Sequence, residues 1–74
     1  MKLYFEDTNE NSRLIAECQN ETEVIQNIHK FVNESNKHKP KDKQFKIYYT
    51  RTWTENGKTW YDVGSYSEFF YVTK

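Results

Sequence analysis

Apolar and polar residues alternate at both ends of this chain and recur at helical spacing in its middle. Leu3 and Phe5 alternate with Lys2, Tyr4 and Glu6, the period of a half-buried strand over Lys2 to Glu6. Asp7 to Ser12 is polar and rich in turn formers, so the chain reverses there. Arg13 to Cys18 alternates again and places Leu14, Ala16 and Cys18 on one side, which predicts an antiparallel hairpin. Asn20 is a good helix N-cap, and Glu23 three residues on completes the pattern of a capping box. Val24, Ile25, Ile28, Phe31 and Val32 then form one apolar stripe. The lysines beyond Asn36 and Pro40 end the helix near Asn36, for a length of about 24 Å.

Lys37 to Lys43 reads as a basic loop, and Phe45 to Thr54 as a long strand rich in β-branched and aromatic residues. Asn56-Gly57 is a strong hairpin signal, with Thr59 to Val63 returning. Gly64-Ser65 turns the chain again, and Glu68 to Thr73 supplies the last strand. The expected fold is a single α+β domain of order β-β-α-β-β-β, a mostly antiparallel sheet with one helix packed on one face. A two-residue turn also sets the register of the second hairpin: Arg51 opposes Asp62, Thr52 opposes Tyr61, Trp53 opposes Trp60, Thr54 opposes Thr59 and Glu55 opposes Lys58. Tyr49, Arg51, Trp53, Trp60 and Asp62 then share one face, and Tyr48, Thr50, Thr52, Thr54, Thr59, Tyr61 and Val63 the other.

Composition narrows the function. Only 35% of the 74 residues are hydrophobic, and the mean hydropathy is −1.10. Yet 18% are aromatic and eleven basic residues balance eleven acidic ones, so the chain folds around rings rather than remaining disordered. Cys18 is the sole cysteine, which rules out an intramolecular disulfide and a multi-thiolate zinc site. No apolar run approaches the ~20 residues that span a bilayer, and acidic residues interrupt the N-terminus before a signal-type stretch forms. No membrane association is expected, and a reducing cytoplasm is the expected compartment.

Catalysis requires a nucleophile, base or metal held by neighbours. His29 and His38 have no Cys, Asp or Glu at metal-ligand spacing, and nothing near Cys18 lowers a thiol pKa. The expectation is a non-catalytic protein with no metal and no cofactor. Two surfaces remain. Lys37, Lys39, Lys41, Lys43 and Lys46, with Tyr48 and Tyr61 as stacking rings, would suit a nucleic acid, although the pI of about 6.7 is low for that role. The rings, meanwhile, outnumber what one helix covers. Tyr49, Arg51, Trp53, Trp60 and Asp62 combine the residue types enriched at protein–protein hot spots, and form the candidate protein-binding site. The alternative is that the excess rings build a second small core with the last strand, whose Phe69-Phe70-Tyr71-Val72 is apolar on both faces. Residues 1–29 hold two basic against six acidic residues, and residues 30–58 eight against three, a polarity that also suits self-association as a homodimer or structural assembly.

The opening Met1-Lys2-Leu3-Tyr4-Phe5-Glu6-Asp7 and the segments Tyr48-Tyr49-Thr50-Arg51 and Trp60-Tyr61-Asp62-Val63-Gly64-Ser65, in this element order, resemble small proteins of phages and prophages of low-GC Gram-positive bacteria. The resemblance spans nearly the whole chain. It implies a short phage product that binds host machinery, a class that includes inhibitors of host defence such as anti-CRISPR proteins.

Overall fold

The computed structural model describes residues 1–47, 51–64 and 68–74. Its elements follow the expected order: β1 (Lys2–Glu6), β2 (Ser12–Glu17), α1 (Glu21–Asn36), β3 (Arg51–Glu55), β4 (Lys58–Asp62) and β5 (Phe69–Thr73). The strands form one sheet in the order β2-β1-β5-β4-β3, with every neighbouring pair antiparallel. β5, whose Phe69-Phe70-Tyr71-Val72 is apolar on both faces, is thus the central strand between the two hairpins.

The helix begins as its sequence dictates. The Asn20 side chain accepts the Glu23 N–H at 3.0 Å, while Glu23 reaches back to the Gln19 N–H at 3.2 Å, one residue before the cap. Val24, Ile28 and Val32 are buried, with Ile25 and Phe31 packed at their margin. They meet Leu3, Tyr61, Phe70, Val72, Cys18 and Val63 on one side of the sheet. Phe31 closes this core edge-on to Phe70, with ring centroids 5.7 Å apart, and lies 4.7 Å from Phe5.

Three expectations are corrected. Of the expected strand Phe45 to Thr54, the part from Arg51 lies in β3, Arg51–Glu55, Phe45 to Ile47 are not strand, and residues 48–50 lie outside the described residues. The reason is local: Asn36 donates its side-chain N–H to the Phe45 carbonyl at 2.7 Å and accepts the Phe45 N–H at 2.9 Å. One side chain thereby satisfies both backbone groups that a strand partner would have taken. Gln44 adds bonds to the carbonyls of Asn36 and Lys39, and the basic segment between includes a 3-10 turn, Lys41–Lys43. Second, Leu14 does not share a side with Ala16. The register slips between Leu3 and Tyr4, so that Leu3 opposes Ala16 but Tyr4 opposes Leu14, and Ile15 becomes the extra residue of a bulge. Leu14 is turned to the face away from the helix and is 50% exposed. Third, Tyr61 is not a solvent-facing ring; it is 4% exposed and belongs to the core beneath the helix.

The second hairpin forms in the expected register at all five pairs, from Arg51–Asp62 to Glu55–Lys58. Its turn works because Asn56 and Gly57 both adopt left-handed backbone, at φ 54° and 76°, the geometry that follows strand twist.

Candidate protein-binding face

Strand alternation puts Leu3, Phe5, Tyr61, Phe70 and Val72 toward α1, and it must therefore put Tyr4, Tyr71, Trp60 and Trp53 on the opposite side. Register then lines these four up. Tyr4 opposes Tyr71, Tyr71 opposes Trp60 and Trp60 opposes Trp53, a row across β1, β5, β4 and β3 spanning about 14 Å. Tyr4 stacks on Tyr71 with centroids 5.0 Å apart, Trp60 lies 4.9 Å from Tyr71, and the two indoles stack at 6.3 Å. Phe69 meets both indoles edge-on at 6.4 Å. Leu14 prolongs the row onto β2 beside Tyr4.

Cations border the rings. The Lys58 ammonium sits 4.6 Å from the Tyr71 centroid and 5.8 Å from that of Trp60, and the Arg51 guanidinium 5.9 Å from that of Trp53. Arg51 also bonds Asp62 at 3.0 Å, and the second Asp62 oxygen accepts the Gly64 N–H at 2.9 Å. Tyr71 is buried at 6% exposure, although α1 lies on the other side of the sheet. Its neighbours on its own face, Tyr4, Trp60 and Lys58, close over it. Tyr4, Trp53, Trp60 and Phe69 remain half-buried, with open ring surface.

Arg51, Trp53, Trp60 and Asp62 are thus brought together as the sequence predicts, while Tyr49 lies outside the described residues. Sequence reasoning counted Tyr4, Phe69 and Tyr71 among the rings one helix cannot cover but did not place them in the site, and it missed Lys58 and Leu14. The apolar character of β5 on both faces is the signal that marks a central strand and would have placed Tyr71 beside Trp60.

The lysine-rich surface does not assemble in the same way. Lys37 caps the helix and pairs with Glu34 at 3.1 Å, Lys39 is half-buried, and Lys41, Lys43 and Lys46 are exposed beyond the helix end. Tyr48 lies outside the described residues, and Tyr61 is in the core. A cleft at the same end, of about 210 Å³ and lined by Phe5, Phe31, Phe45 and Phe70, falls below the ~300 Å³ of ordinary small-molecule sites.

His29 and His38 are exposed. Cys18 is buried, and burial, helped by nearby Glu23, pushes its thiol above the ordinary value, opposite to the shift of a reactive cysteine. Asn27 donates to its sulfur at 3.7 Å. Among the described residues no helix is long and apolar enough to cross a membrane. Compared with protein-family models, curated proteins and solved structures, the chain matches none.

Proposed function

We propose that this domain is a non-catalytic binding protein that engages another protein through the sheet face opposite its helix. The observation that carries the reading is the row Tyr4–Tyr71–Trp60–Trp53, which no helix covers among the described residues and which Lys58 and Arg51 border. Aromatic rings and arginine are the residues that dominate binding energy at protein interfaces. Here they sit on paired strands that hold them at fixed spacing, so little conformational freedom is lost on binding.

The resemblance to phage and prophage proteins supports host machinery as the partner, and a defence system such as CRISPR–Cas as the first class to test. The test is affinity capture from a Gram-positive host lysate with the wild type, Trp60→Ala and Lys41→Ala. The proposal expects a protein that is retained by wild type and Lys41→Ala and lost by Trp60→Ala. Retention of the same protein by folded Trp60→Ala would overturn it.

A further inference from the structure

The sheet has two edges, and they differ. On β2 the bulge at Ile15 disrupts the ladder, a device that discourages strand addition. β3 has no such irregularity: its five residues pair with β4 without a shift. Glu55 and Lys58 flank the two-residue turn and are the hydrogen-bonded pair that closes it, so Arg51, Trp53 and Glu55 direct their backbone groups to β4. Thr52 and Thr54 consequently direct theirs to the outer edge, which no strand covers among the described residues, and both residues are exposed.

The sequence of this edge is Arg51-Thr52-Trp53-Thr54-Glu55, and in antiparallel alignment it complements itself. Centred on Trp53, a second copy places its Glu55 opposite Arg51 and its Arg51 opposite Glu55. Thr52 meets the partner's Thr54 as a hydrogen-bonded pair, the arrangement that the outward-pointing backbone requires. Trp53 meets the partner's Trp53 at a non-hydrogen-bonded site, where side chains approach closest. Sliding by two residues in either direction keeps the backbone pattern but loses both ion pairs, opposing Trp53 to Arg51 or to Glu55. The charges are also placed for this use. Lys58, the intramolecular neighbour of Glu55, turns over Tyr71, and among the described residues Glu55 makes no ion pair. Arg51 bonds Asp62 through one terminal nitrogen, while its side chain stays 68% exposed and has donors to spare.

We propose that β3 pairs antiparallel with β3 of a second copy, in the register centred on Trp53. The two-fold axis then stands perpendicular to the sheet, both helices lie on one side, and the aromatic rows join through the two Trp53 rings into one row across eight strands. Five residues per copy make a small contact, of the size class of weak and reversible association. The inference stands apart from the partner-binding role of the same face.

Sedimentation equilibrium of the full chain up to roughly millimolar protein, compared with Glu55→Arg, tests it. The substitution replaces both ion pairs by like charges at an exposed position that leaves the core untouched. Wild type should dimerise, and Glu55→Arg should associate at least about tenfold more weakly. Register is read by oxidising Trp53→Cys and Thr52→Cys, each alone: the first should give a disulfide-linked dimer across the dyad, and the second should not. A wild type that stays monomeric throughout, a dimer indifferent to Glu55→Arg, or efficient cross-linking through Thr52→Cys would each overturn the proposal. A chain that is monomeric alone but adds a strand from a different protein at β3 would do so as well.

Discussion

Arg51 and Asp62 are bonded at 3.0 Å, yet Arg51 stands in water at 68% side-chain exposure and Asp62 does not, at 10%. The two ends of this ion pair therefore contribute differently. Removing Arg51 opens the Asp62 carboxylate to solvent, and the carboxylate keeps its bond from the Gly64 N–H. Removing Asp62 leaves a partly buried N–H at Gly64 without its acceptor. Arg51→Ala should cost about 0–1 kcal/mol and Asp62→Ala about 1–3 kcal/mol. Urea unfolding of the two single variants measures the asymmetry, and equal losses would contradict it.

Ile28 is 1% exposed at the centre of the helix stripe, whereas its neighbour His29 faces solvent. Ile28→Ala should cost about 2–5 kcal/mol, a large share of what so small a domain has. His29→Ala should stay within about 0.5 kcal/mol. Thermal unfolding followed by circular dichroism distinguishes the two, and a similar melting temperature for both would remove this helix face from the core.

Asn36 holds Phe45 by two bonds, one donated and one accepted. Asn36→Asp keeps the acceptor for the Phe45 N–H and loses the donor to its carbonyl, while Asn36→Ala loses both. Hydrogen exchange at the Phe45 amide should therefore speed up strongly in Asn36→Ala and little in Asn36→Asp. Each lost bond should cost about 1 kcal/mol.

These elements were unevenly legible in the sequence. The β3–β4 hairpin could be read to the residue because every cross-strand pair is chemically matched and Asn56-Gly57 fixes the count. The bulge could not, because Leu14 and Ile15 are both apolar and alternation does not show which one slips. Phe45-Lys46-Ile47 alternates as a strand does, but its nearest partner is a helix-end side chain with no local signature. Four of the site residues followed from hairpin parity alone. Tyr4 and Tyr71 join them only through strand order, which places β5 between β1 and β4.

Burial raises the pKa of both Cys18 and Tyr61, with Glu23 adding to the first, and Glu21 and then Cys18 to the second. The folded state thus prefers both groups neutral. The stability they contribute is fully present below the ordinary thiol value of 9.0 and is lost as pH rises through the folded-state values. Melting temperature should hold up to the ordinary thiol value of 9.0 and fall as pH rises above it. Cys18→Ala should move the onset of that fall upward, toward the range in which Tyr61 ionises. An unchanged alkaline onset in Cys18→Ala would show that the thiol is not linked to folding.

The most direct measurement of the central claim is a binding footprint by NMR, with the captured partner titrated into the labelled domain. The indole N–H signals of Trp53 and Trp60 and the amides of β3, β4 and β5 should shift or broaden first, while those of Val24, Ile28 and Lys37 to Lys46 stay in place. A footprint on the lysine-rich segment with both indoles unmoved would contradict the account.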